Sequence, residues 1–199
     1  MVDVAAGETL SDVAGVSGVL ITGSGAMLSS PEPWMLNCAD WLVKAIAAGI
    51  PTLGVCFGHQ LLAFALGGEI GSNPNGLEAG TINVEFNDRC ERDALFGSFP
   101  ESAYFHAHHY ETIARLPVGA VVLAANAVEA YQVVRFANNA WGSQFHPEFS
   151  VAIMHALLDE YAPRLTKLGY DVMTIRNSLR EARQGAILLR KFVGLTTDK

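Results

Sequence analysis

Charge is scarce in this chain. Only 17% of its 199 residues are Asp, Glu, Lys or Arg, and 20 acidic residues outnumber 13 basic ones. A formal charge of −7 with no Lys/Arg cluster makes a poor binder of nucleic acid or of an anionic membrane, so neither is expected as a partner. Cysteine is scarcer still. Cys38, Cys56 and Cys90 are an odd, dispersed set that does not read as a disulfide framework, and a reducing cytoplasm is the expected compartment. No apolar run reaches the roughly 18 residues a membrane span needs. The opening "MVDVAAGETL" lacks the basic and apolar regions of a signal peptide. Repeats, low-complexity tracts and linkers are missing too. What is plentiful is apolar side chain, at 50% of residues, enough for one well-buried domain over 1–199.

The apolar residues are ordered. "GVLIT", inside "SGVLITGSG" (17–25), reads as a short buried strand ending in a Gly/Ser loop. "PEPWMLNCADWLVKAIAAG" (31–49) has helical spacing, with Pro33 in the first turn and Gly49 at the end. "IPTLGV" (50–55) is apolar without alternation, as a strand buried on both faces should be, and "GHQLLAFALGG" (58–68) returns to helix. Strand, helix, strand, helix is the order of an α/β fold with a parallel sheet. Short strand-like runs follow at 80–86, 103–109, 118–126, 130–136 and 139–145, with a hairpin turn at Asn138–Asn139, and suggest a mixed or antiparallel section. Helices are expected over 149–162 and 171–193, so the core spans 17–150 with C-terminal helices over 150–193.

Cys56 stands where the strand "IPTLGV" gives way to a helix opened by Gly58. Buried free cysteines are mostly inert packing. A cysteine at a sharp strand-to-helix turn differs, because the turn lifts the thiol above the sheet and the helix N-terminus favours thiolate and oxyanion. A base is still required. His146, at the end of the strand-like "AWGSQF", is the candidate; Pro147 stiffens the exit and Glu148 lies two residues on. In extended chain, i and i+2 point the same way, so the Glu148 carboxylate can orient the imidazole. H-P-E alone would be an ordinary surface turn; with the strand–Cys–helix unit it completes a nucleophile, base and orienter.

These segments, "GVCFGHQLLAFALGG" and "GSQFHPE", resemble the triad or class I glutamine amidotransferases. That family's elbow reads G-x-C-x-G-x-Q and its second motif H-P-E, here Gly54, Cys56, Gly58, Gln60, His146, Pro147 and Glu148. The resemblance covers about 17–150. It implies a flavodoxin-like α/β domain, and it implies that Cys56 attacks the side-chain amide of L-glutamine. His146 shuttles protons, Glu148 orients it, and a glutamyl thioester is hydrolysed to glutamate after ammonia leaves; no cofactor or metal is implied. "ITGSGAM" stands where the family has a glycine-rich oxyanion loop, so backbone N–H groups near Ser24 and of Phe57 become the donors, with Gly23 and Gly25 allowing close approach. Gly25, Gln60 and Glu78 (in "LEAGT") are the substrate-binding candidates. Within the family, "ITGS" followed by a Trp-bearing helix is most similar to stand-alone proteins resembling the glutaminase domain of GMP synthetase.

Elsewhere the pattern departs. "FHAHHYETIARLP" (105–117) places His109 and Glu111 where the family has a His and an Asp; its three close histidines read as an active-site wall in preference to a metal site. His59 reads as a helix-surface or packing residue, and His155 as a helix-face residue. The family's first strand and helix do not fit into "MVDVAAGETL", which could hold only a second strand. An N-terminal truncation, a gap in the sheet, and poor solubility or lost activity are therefore expected. No G-x-x-x-x-G-K-[ST] loop is present, so an ammonia acceptor would be a separate synthetase or partner protein. Two other readings remain: a hydrolase of γ-glutamyl bonds in small metabolites, and a non-catalytic subunit that keeps the fold.

Overall fold

The computed structural model describes residues 1–197. Residues Asp198 and Lys199, the end of the expected single domain, lie outside the described residues. A seven-stranded sheet runs in the order β1 (Val19–Ile21), β2 (Thr52–Val55), β9 (Ala140–Ser143), β8 (Val133–Ala137), β7 (Val121–Ala125), β4 (Glu78–Phe86) and β5 (Ser102–His109). β1, β2 and β9 pair in parallel, and every pairing from β9 outward to β5 is antiparallel. β3 (Glu69–Ser72) and β6 (Glu111–Arg115) form a separate antiparallel pair. The sequence pattern missed this ribbon, because Glu69, Gly71, Thr112 and Arg115 break up any apolar alternation.

Two apolar clusters hold the layers together. On one face α1 (Pro33–Ala47) and α2 (Phe57–Ala65) bury Met35, Leu42, Phe57, Leu61 and Leu62 against Val134 and Phe136. On the other, Leu188 and Phe192 of α5 (Gln184–Thr197) pack on Phe96, Phe105, Trp141 and Phe145. Burying each such large side chain contributes about 1.5–3 kcal/mol. Pro33 occupies the first turn of α1, where its missing N–H costs nothing. No helix among the described residues is long and apolar enough to cross a membrane.

Three expectations change. The sheet has no internal gap, because β1 pairs directly with β2, Leu20 opposite Leu53; β1 is the edge strand and Leu20 is half exposed. Residues 1–18 form turns and contain no second strand; they are tied down where the Trp41 indole donates to the Ser11 carbonyl at 2.6 Å. The C-terminal helices also have other bounds. α3 (Val151–Lys167) continues through Pro163. The run expected as one helix over 171–193 divides into α4 (Val172–Asn177) and α5. The break has a cause: the Arg180 N–H donates to Thr81 Oγ1 at 3.0 Å, spending on β4 a group that a helix would use internally.

Candidate functional site

The site lies at the end of β2, where parallel strands meet the N-terminus of α2. Cys56 is the only non-glycine among the described residues with positive φ, at 52°, ψ −104°. Such a conformation persists only when its surroundings impose it. Here the Cys56 N–H donates to the Ser143 carbonyl at 2.8 Å, and its carbonyl accepts the Gln60 N–H at 3.1 Å. The elbow glycines follow from close approach. A Cβ on Gly54 would lie 2.3 Å from the Gly58 carbonyl oxygen, and one on Gly58 would lie 2.5 Å from that of Ile21. The bond from Gln60 N–H to Cys56 carbonyl opens α2, so the Phe57 N–H belongs to the helix's unpaired first turn. The other two thiols differ. Burial raises that of Cys38, and burial beside Asp93 pushes Cys90 up to about 11, as befits packing thiols.

His146 is delivered by the turn after β9 and pinned by its own N–H donating to the His106 carbonyl at 2.8 Å. Its Nδ1 lies 2.7 Å from Glu148 Oε1, and its ring stacks on Phe149 with centroids 3.8 Å apart. Burial alone would depress this imidazole. Hydrogen bonding to Cys56 and Glu148, and the negative charge of both, outweigh burial and lift it to about 9. With Nδ1 engaged by Glu148, Nε2 is the nitrogen left for the thiol. Gly23 closes the front, since a Cβ there would lie 2.7 Å from His146 Cε1 and 3.7 Å from Cys56 Cβ. Ser24 and Gly25 are exposed on the same loop; the Ser24 hydroxyl accepts the Ala26 N–H at 3.1 Å, and a Cβ on Gly25 would meet nothing within 4 Å.

The remaining candidates sit behind the elbow. Gln60 is buried, with Nε2 donating to the Glu111 carbonyl at 2.9 Å and to Gln144 Oε1 at 3.0 Å. Glu78, also buried, accepts from Asn126 at 2.7 Å and Gln132 at 2.6 Å and pairs with His109 at 2.9 Å. The Glu111 carboxylate accepts the N–H groups of Leu28 at 2.8 Å and Ser29 at 3.1 Å, anchoring the far end of the glycine loop. The three close histidines diverge. His109 points inward to Glu78, His108 packs on Tyr161 with centroids 5.0 Å apart, and His106 reaches Thr81 at 3.3 Å. Burial, then the nearby His146, depresses His108 to about 4. His59 is a packing residue: fully buried against Phe136 and driven down to about 3 by burial. His155 sits on a face of α3 beside Arg176 at 3.2 Å. The reading of isolated motifs missed Gln144 and Gln132. The only available signal was a polar residue inside the otherwise apolar "AWGSQF" and "AYQVV" runs.

Residues 4–160 match the family model "Glutamine amidotransferase class-I". The chain belongs to that family. Among curated relatives, the chain is 32% identical over 182 residues to a gamma-glutamyl-L-1-hydroxyisopropylamide hydrolase from a Pseudomonas species, a match covering 87% of the chain and 60% of the relative. It is 34% identical over 144 residues to the glutamine-hydrolysing GMP synthase of Aeropyrum pernix, covering 72% of the chain but 26% of that protein. The chain thus spans less than two thirds of each of these relatives. A glutamine amidotransferase from Thermotoga maritima superposes over the whole chain and 86% of its own, with a TM-score of 0.79 at 24% identity, which establishes the shared fold.

Proposed function

We propose that this amidotransferase hydrolyses the γ-amide of L-glutamine to glutamate and ammonia, with Cys56 as nucleophile, His146 as acid and base, and Glu148 as its orienter. The observation that carries the reading is the strained Cys56 at the head of α2, facing an imidazole that its own environment keeps protonated to about 9. The imidazolium can balance the charge of the attacking sulfur and carries the proton that the leaving nitrogen needs. The Sγ lone pair attacks the amide carbon, and the oxyanion is held by the Phe57 N–H and by backbone N–H near Ser24. His146 gives its proton to the departing nitrogen, the C–N bond breaks, and a thioester remains. Water, losing a proton to His146, attacks the thioester; the C–S bond breaks, glutamate leaves, and the thiolate returns beside imidazolium. No cofactor enters. Ammonia would pass to a synthetase or acceptor on another protein, in the cytoplasm.

One observation favours a second substrate class with identical chemistry. The match to the gamma-glutamyl-L-1-hydroxyisopropylamide hydrolase covers more of this chain than the match to GMP synthase does. In that reading the leaving group is an alkylamine or an amino acid. Glutamate release from L-glutamine and from γ-glutamyl amides and peptides, compared with Cys56→Ala, tests both. Release from glutamine by the wild type alone is the expected result. Selective release from substituted amides transfers the proposal to the second class, and inactivity equal to that of Cys56→Ala on all substrates overturns both, leaving the subunit reading.

A further inference from the structure

We infer that Gln144 is a further group on the nucleophile, and that a buried relay from Glu78 through His109, the Glu111 carbonyl and Gln60 fixes which end of its amide faces Cys56. The inference rests on the proposed role of Cys56. Gln144 is fully buried at the end of β9, and its Nε2 lies 3.6 Å from Cys56 Sγ, a length that suits the larger radius of sulfur. Had the amide been reversed, an oxygen would face the sulfur and repel a thiolate. The orientation therefore matters, and side-chain amides have no intrinsic preference.

The surroundings supply that preference. A carbonyl oxygen only accepts, and the Glu111 carbonyl is approached by Gln60 Nε2 at 2.9 Å and His109 Nδ1 at 3.0 Å, so both must be donors. That fixes the Gln60 amide with its NH₂ toward Glu111. The second hydrogen of the NH₂ then meets Gln144 Oε1 at 3.0 Å, which leaves the Gln144 NH₂ for Cys56. On the other side of the carbonyl, His109 Nε2 meets a Glu78 carboxylate that also accepts from Gln132 and Asn126. Both hydrogens of the Gln60 amide and both ring nitrogens of His109 have partners, and Gln60, Glu78, His109 and Gln144 are each at most 4% exposed, so turning the Gln60 amide orphans the Glu111 carbonyl and turning the Gln144 amide orphans Gln60. Gln132 closes the loop: its backbone carbonyl takes the Gln144 N–H at 2.9 Å while its side chain donates to Glu78. Gln144 thus presents one N–H to the sulfur that His146 also bonds. Gln60, His109 and Glu78 are positioning residues acting through Gln144.

The test is alkylation of Cys56 by iodoacetamide across pH, which needs no substrate, alongside steady-state hydrolysis. Gln144→Met keeps the volume and removes the donor. Its alkylation near neutral pH should slow about tenfold, with the pH midpoint moved upward, and kcat should fall with KM within about twofold, the size expected for one hydrogen bond to a charged acceptor. Gln144→Glu, which places a carboxylate by the sulfur, should be slower still. Gln60→Met lets the Gln144 amide turn, so it should shift the midpoint in the same direction. The double Met variant should be no worse than Gln144→Met alone, the non-additivity of a shared pathway. An unchanged alkylation profile in Gln144→Met, or full additivity in the double variant, overturns the inference. If Gln144→Met fails to fold, Gln60→Met carries the test alone, and an unshifted midpoint there overturns it too. Wild-type protein that alkylates as described but hydrolyses no γ-glutamyl amide sinks the hydrolytic reading and leaves the relay standing.

Discussion

Two histidine–glutamate pairs lie in this molecule at nearly the same distance, 2.7 Å for His146–Glu148 and 2.9 Å for His109–Glu78. Their surroundings separate them. His109 and Glu78 come from different strands, are almost wholly buried, and have every facing atom engaged: His109 bonds through both nitrogens, and Glu78 takes three donors. His146 and Glu148 are two residues apart, Glu148 is 38% exposed, and His146 keeps one nitrogen for the thiol. A short histidine–carboxylate contact is therefore no mark of catalysis. A saturated imidazole is scaffold, and an imidazole with one free nitrogen beside a nucleophile can move protons. The largest consequence is for activity. Cys56→Ala or His146→Ala should lower glutaminase kcat by about 10⁴-fold or more while the melting temperature stays within a few degrees, as expected when a unit of interdependent residues loses one member. Activity within tenfold of wild type in His146→Ala would make the two pairs equivalent and void the distinction.

The saturated pair should show itself in stability. Glu78→Leu leaves His109 facing an apolar group inside the protein, and removing one partner of a buried pair costs about 3–5 kcal/mol. For a chain of this size each kcal/mol lowers the melting temperature by roughly 2–4 °C, so calorimetry should register a fall of roughly 6–20 °C. Glu148→Gln should do the reverse. It keeps a hydrogen-bonding group near His146 but removes the charge, and because the Glu148 side chain is 38% exposed and partly screened by solvent, stability should fall by less than in Glu78→Leu. Its kcat should fall by about 10²–10³-fold, less than for loss of His146 because the ring survives. A Glu148→Gln protein that melts as far below wild type as Glu78→Leu would contradict the assignment of roles.

The two pairs were not equally legible from the sequence. His146 and Glu148 are two residues apart, so the period-two rule for extended chain paired them correctly but for the wrong geometry: they meet across a turn in which the Phe149 N–H donates to the His146 carbonyl at 3.4 Å, while the strand–Cys–helix pattern supplied the candidate nucleophile. Glu78 and His109 are 31 residues apart and meet only because β4 and β5 pair with Glu78 opposite His109. No local pattern carries that register. Strand-like runs located β4 and β5 to within two residues, yet β3 and β6 went unseen because a two-stranded ribbon of mixed polarity has neither helical nor alternating spacing. The break between α4 and α5 was hidden for a related reason: helical propensity runs through 178–183, and tertiary contacts such as that of Arg180 with Thr81 override it.

The smallest of the expected effects separates the pairs by titration. His146 is raised in the folded protein to about 9 from an ordinary 6.5, so the native state holds a proton that the unfolded chain has released anywhere between those values. The sign follows from proton counting. Below about pH 6.5 both states are protonated and the stabilisation is fully present; as pH rises toward 9 the native state must bind against falling proton activity, and stability declines. Because Cys56 and His146 interact strongly, the step belongs to the pair. The rise corresponds to about 3 kcal/mol over this range, so melting temperature measured from pH 6 to pH 9.5 should fall by roughly 6–12 °C, and hydrolysis should lose its alkaline limb near the same pH as imidazolium disappears. Glu148→Gln removes one of the influences that raise His146, so its alkaline limb should move to lower pH and its melting curve should flatten. A wild-type melting temperature that rises from pH 6.5 to 9, or an alkaline limb indifferent to Glu148→Gln, would show that Glu148 does not control the proton on His146.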